Sequence, residues 1–128
     1  MPFYHAIVRP GLLDEAGREA FANDVVDVHC GVTGAPRSFV HVMYTEAGDG
    51  RLADGVNAAV NGTIRAGRND DQKAEITTRL SAALAGHAGV DAASVQAITR
   101  DIPASHTMEG GALLPEPGSA DEELWKAS

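Results

Sequence analysis

The chain repeats itself. At an offset of 56 residues, Ile7-Val8-Arg9-Pro10-Gly11 falls on Thr63-Ile64-Arg65-Ala66-Gly67. Continued without gaps, Asp14 falls on Asp70, Ser38 on Ser94, and Phe39-Val40-His41-Val42 on Val95-Gln96-Ala97-Ile98. Identity between the halves is low, but the order of element types is the same: strand, glycine-containing turn, helix, turn, strand. A chain built this way makes two β-α-β units, with halves at about 2–46 and 58–103. A crossover of helix length favours parallel strands within each unit. The expected fold class is therefore α+β: duplicated β-α-β units forming one four-stranded mixed sheet with two helices on one face. The 128 residues suit a single domain, 1–128.

In the first half, Phe3 to Val8 reads as a strand, and Asp14 can cap a helix. Leu13, Phe21, Val25, Val28 and Val32 recur at helical spacing. Gly31 and Gly34 are expected to stop that helix, and Phe39 to Tyr44 to form the second strand. In the second half, Ala59 to Ile64 is a strand. Asn69 or Asp70 caps a helix to about Ala85, and Val95 to Ile98 closes the unit. Glu46 to Asn57 is expected to be a linking loop. A C-terminal arm, about 112–128, is Pro-, Gly- and Glu-rich from Pro115 and is expected to lie on the surface or on a neighbour. A four-stranded sheet covered on one side leaves the other bare, so other copies of the chain are expected to cover it.

Ten basic against 18 acidic residues give a formal charge of -8. That argues against nucleic acid or anionic membrane as partner. No run approaches the ~18 apolar residues of a membrane span. The start, Met1-Pro2-Phe3-Tyr4-His5, does not read as a signal peptide. Cys30 is the only cysteine, which fits a reducing cytoplasm and a small buried side chain. No His/Cys metal spacing and no phosphate-binding loop occur, so neither metal nor cofactor is expected.

Four places carry chemistry. Pro2 becomes a free secondary amine once Met1 is removed. A terminal amine ionises near ~8, and burial or neighbouring cations lower that value enough to make it a base. Taken alone, Pro2 is an ordinary second residue. Arg65 and Arg68 end a strand and start a turn, where two guanidinium forks can converge on one carboxylate. His29, at the edge of the first helix's apolar stripe, can donate to a substrate oxygen or merely meet the last helix carbonyls. Glu109, beside Gly110 and Gly111, can be presented on a tight turn or be one more surface acid.

In order and spacing these pieces resemble one family. They are Met1-Pro2, Asp27-Val28-His29-Cys30-Gly31-Val32-Thr33-Gly34, Thr63-Ile64-Arg65-Ala66-Gly67-Arg68, Asp101-Ile102-Pro103-Ala104, Met108-Glu109-Gly110 and Leu114-Pro115-Glu116-Pro117-Gly118. The chain resembles the cis-3-chloroacrylic acid dehalogenase group of the tautomerase superfamily over nearly its whole length. That resemblance implies a homotrimer with Pro2 as catalytic acid or base. It implies that Arg65 and Arg68 bind a substrate carboxylate, that His29 helps bind or polarise the substrate, and that Glu109 activates water. Ile98 stands where the family has a tyrosine that shares this water, and Ala112 where it has a basic residue. The loss disfavours hydrolytic dehalogenation and favours tautomerisation of small 2-oxo acids such as phenylpyruvate. Two alternatives stay open: a non-catalytic oligomeric carboxylate-binding protein on the same fold, or another duplicated α+β domain such as a dimeric α+β barrel.

Overall fold

The computed structural model describes residues 1–47 and 50–127. The expected linker 46–57 contains Gly48 and Asp49, and the C-terminal arm ends at Ser128; these three lie outside the described residues. Strand β1 (Phe3–Val8) leads through helix α1 (Glu15–Thr33) to β2 (His41–Glu46). Strand β3 (Ala58–Arg65) leads through α2 (Asp70–Ala88) to β4 (Val95–Ile102). The sheet order is β2-β1-β3-β4. Strands β1 and β2 are parallel, as are β3 and β4, while the central pair β1–β3 is antiparallel. The sheet is thus mixed, as two β-α-β units joined back to back require.

Local signals set most helix ends. Asp14 accepts from Gly17 N at 2.7 Å to start α1. Asn69 and Gln72 form a reciprocal capping box at α2, a device worth about 1 kcal/mol. Gly34 and Gly89 end the two helices in the left-handed conformation that a side chain resists. Gly31 does not stop α1, because its backbone stays helical and only Gly34 turns left-handed. Helix α2 likewise runs past Ala85 to Ala88. The second strand starts later than expected, since Arg37–Phe39 forms a single 3-10 turn behind Pro36. The closing strand runs on from Ile98 to Ile102. Its polar residues Arg100 and Asp101 are tolerated on an edge strand, where Lys73 pairs with Asp101 at 3.1 Å.

Tyr4, Ala6 and Val8 of β1 and Ala58, Val60 and Ile64 of β3 face the helices. There they pack against Phe21, Val25 and Val28 of α1 and Ile76, Leu80 and Leu84 of α2. On the other face Ile7 and Ala59 are covered by Leu52 and Val56, while Phe3, Met43 and Ile98 remain exposed. Cys30 is half-buried rather than sealed in the core, because it lies beside the buried stripe of α1 and not on it. Among the described residues no helix is long and apolar enough to cross a membrane.

The C-terminal arm is more ordered than its composition suggests. Strands β5 (Met108–Glu109) and β6 (Ala112–Leu113) form a small hairpin. Its two turn residues, Gly110 and Gly111, have φ of 59° and 83°, which two-residue hairpins favour. Helix α3 (Ala120–Ala127) then closes the described chain. Ser119-x-x-Glu122 stands at its start, but Ser119 Oγ makes no hydrogen bond and the Glu122 carboxylate accepts from Arg65 and Gly118 N instead.

Candidate active site

Four of the five residues singled out from the sequence line one pocket: Pro2, His29, Arg65 and Arg68. Pro2 is buried immediately before β1, and its carbonyl accepts from His41 N at 3.1 Å. His29, one turn from the end of α1, is only 3% exposed. Arg65 is the last residue of β3, and Arg68 lies just before the cap of α2. Met1, Trp125 and Lys126 complete the lining around Ala35.

Glu109 stands to one side. It borders a neighbouring concavity with Met1, Phe3 and His41. Its carboxylate receives the Met1 ammonium at 2.5 Å and the Trp125 indole N–H at 3.0 Å. The ammonium also donates to Phe39 O at 3.1 Å. Burial works against the Glu109 charge, but these two donors hold its carboxyl below the ordinary range. Ile98 is on the open face of the sheet, paired across from Asn61, and does not line the pocket.

Sequence reasoning missed Tyr4. Its hydroxyl lies 2.8 Å from His29 Nδ1, and the ring is fully buried. A phenol has one donor, and burial pushes Tyr4 well above its ordinary ionisation range, so that donor stays in place. Were His29 to donate instead, the Tyr4 proton would be buried without a partner, at a cost of about 1–3 kcal/mol. Tyr4 therefore donates to Nδ1, which leaves the His29 proton on Nε2. The ring has room because Gly62 stands opposite Tyr4 in the antiparallel pair.

His29 is neutral. Burial first, then Arg68 and the terminal ammonium, lowers its pKa to about 4. The unfolded value is near ~6.5, so the unfolded chain binds a proton that the folded one refuses between these limits. Stability from this group is full above about pH 6.5 and is lost as the pH falls towards 4. The loss amounts to about 3 kcal/mol. His29→Gln is expected to remove that slope. Urea unfolding at pH 7 and pH 5 checks it, and equal slopes in both proteins would count against it.

The two arginines differ in their surroundings. Arg65 is 5% exposed. It donates to Pro115 O at 2.7 Å and to Glu122 at 2.6 Å, and the Trp125 ring lies 4.7 Å from its guanidinium. Burial opposes the Glu122 charge, but the Arg65 and Gly118 donors keep its carboxyl below the ordinary range. Arg68 is half-buried, and among the described residues no hydrogen bond or ion pair engages it. Burial and the neighbouring Arg65 charge lower its pKa. A cation so placed is suited to an incoming anion.

Residues 1–128 match the family described as "Putative oxalocrotonate tautomerase enzyme". Among solved structures, N1, a member of the cis-3-chloroacrylic acid dehalogenase (cis-CaaD) family, is 29% identical. The match covers 98% of this chain and 91% of that one, with a TM-score of 0.84. Native Ps01740 is 32% identical, covering 84% of this chain and 99% of its own, with a TM-score of 0.77. A fused 4-OT wild type symmetric trimer, 24% identical, covers 88% and 94% with a TM-score of 0.77 and shares the fold. No curated protein matches the chain.

Proposed function

Because the chain belongs to the tautomerase superfamily, in its cis-3-chloroacrylic acid dehalogenase-like group, we propose that this tautomerase-type enzyme uses Pro2 as its base. Its substrates are small 2-oxo carboxylic acids, and it needs no cofactor. The observation that carries the reading is the gathering of Pro2, a neutral His29 and Arg68 around one pocket. Arg68 receives the carboxylate. Pro2, once Met1 is removed, takes a proton from the carbon beside the carbonyl. The His29 Nε2–H donates to the developing enolate oxygen. Pro2 then returns the proton, to oxygen or to carbon, and no atom is gained or lost.

Glu109 supports a second, weaker mode. With Met1 gone it keeps the Trp125 indole as a donor, and its carboxylate orients water towards an unsaturated or 3-halo acid while a protonated Pro2 donates to carbon. Ile98 in the tyrosine's place leaves that water one partner fewer, which costs about 10²–10³ in rate. Exposed Phe3, Met43 and Ile98 share the open face of the sheet, and this face is the contact surface of a homotrimer. A reducing cytoplasm suits the single thiol of Cys30.

Phenylpyruvate tautomerisation tests the reading. Arg68→Ala is expected to raise KM about 10- to 100-fold, the worth of a lost charge-assisted hydrogen-bond pair, with a smaller change in kcat. A wild-type chain with a free Pro2 amine and no turnover of any 2-oxo acid would sink the proposal. So would an unchanged KM in Arg68→Ala.

A further inference from the structure

The first three residues are tied down one after another. The Met1 ammonium donates to Glu109 at 2.5 Å and to Phe39 O at 3.1 Å, and the Met1 side chain is only 8% exposed. Pro2 is buried, and its carbonyl accepts from His41 N at 3.1 Å. Phe3 opens β1, which lies inside the sheet with β2 on one side and β3 on the other. It pairs with His41 and Thr63, and the next residue, Tyr4, is fully buried. A chain start is ordinarily loose unless something anchors it. Here the β5–β6 hairpin, the Arg37–Phe39 turn and the sheet all do.

Both acceptors of the ammonium are themselves held by α3. Trp125 donates to Glu109 at 3.0 Å, and its ring lies on that of Phe39 with centres 4.4 Å apart. Trp125 also lines the pocket together with Met1 and Pro2. Glu122 and Pro115 O fix the same helix and the segment before it to Arg65, at 2.6 and 2.7 Å. Helix α3 is thus a clamp over the start of the chain, built from its other end.

Resting on the function proposed above, which needs a free Pro2 amine, we infer that the Met1–Pro2 bond is a processing site open only before the chain folds: a methionine aminopeptidase must act first, and docking of α3 then ends its access. The step is a hydrolysis. Water adds across the Met1–Pro2 amide, its hydroxyl going to the Met1 carbonyl carbon and its proton to the Pro2 nitrogen, and methionine leaves. The peptidase has to take the ammonium and the residues behind it into its own cleft. In the folded chain that breaks the ion pair with Glu109, the Pro2–His41 bond and the pairing of Phe3 on both sides. The open form is therefore a small fraction of the whole, and cleavage waits on it. During synthesis the clamp arrives last. At about 5–20 residues per second, Trp125 follows Pro2 by roughly 6–25 s. A chain that closes with Met1 in place keeps Pro2 as an amide, sealed and inactive.

The test uses the folded chain with Met1 in place, a peptide of residues 1–5 as the unstructured reference, and a methionine aminopeptidase, read by intact mass. The folded chain is expected to lose Met1 at least about 100-fold more slowly than the peptide. Urea below the unfolding midpoint should raise the ratio of the two rates, because removal follows the population of the open form. Glu109→Gln takes away the ion pair, and Trp125→Leu loosens the clamp. Each should speed removal from the folded chain by about tenfold.

Removal from the folded chain within about threefold of the peptide would overturn the inference. So would a slow rate that urea does not raise. Unchanged rates in both variants would overturn the part assigned to α3. Mass, not turnover, is what is read. A chain stripped of Met1 that turns over no 2-oxo acid sinks the proposed function and leaves the order of processing and folding standing.

Discussion

Acetylating the Pro2 amine, in a chain from which Met1 has been removed, is expected to slow phenylpyruvate tautomerisation by at least about 100-fold. The acetyl group takes away the lone pair and leaves the ring where it is. A positioned base contributes about 10²–10⁴ to such a step, so the loss falls in that range. Pro2 is well placed for the task. It is buried, and the backbone on its far side is held by the bond from His41 N to its carbonyl. Arg68 lines the same pocket as Pro2, and Glu109 lies against the start of the chain. A chain that keeps Met1 should be as slow as the acetylated one, because its Pro2 nitrogen is an amide. Its Met1 ammonium is also engaged by Glu109 and Phe39 O. Intact mass, to count the retained methionine, and initial rates on the same samples make the comparison. Equal rates with free and acetylated Pro2 would remove Pro2 from the mechanism.

The features legible in the amino-acid sequence are local ones. The offset repeat, the caps at Asp14 and Asn69, and the stop at Gly34 are written in residues a few positions apart. The mixed sheet and its two covering helices follow from them. Edge behaviour is less legible: Arg100 and Asp101 look like the end of a strand until Lys73 is seen to pair with Asp101. The site divides in the same way. His29, Arg65 and Arg68 can be named from their neighbours in the chain. The ion pair that holds Arg65 cannot, because Glu122 lies 57 residues beyond it and only the fold joins them. Tyr4 is hidden for a related reason. Alternation puts it in the core, but its link to His29 depends on the pairing of β1 with β3 and on the absence of a side chain at Gly62.

That absence leads to the second large effect, on stability. Gly62→Ala is expected to cost about 3 kcal/mol, where Gly to Ala in a strand is otherwise mild or favourable. A Cβ at this position would lie 2.4 Å from Tyr4 Cε1, 2.8 Å from Cδ1 and 3.2 Å from Cζ. The ring has nowhere to go. It is fully buried against the helices, and its hydroxyl is held 2.8 Å from His29 Nδ1. Relief must come from parting β1 and β3 or from breaking the Tyr4–His29 bond. Against a typical total of about 5–15 kcal/mol, such a loss is large. It should also lower kcat by freeing the His29 ring. Gly31→Ala is the control: it is helical and exposed, nothing stands within 4 Å of its added Cβ, and it should be neutral or stabilise by up to about 1 kcal/mol. Tyr4→Leu in the Gly62→Ala background should recover part of the lost stability, because the shorter side chain clears the new methyl. Chemical denaturation of the four proteins reads these differences directly. A Gly62→Ala protein as stable as wild type would mean that the ring is not confined, and that Tyr4 does not hold His29 in place.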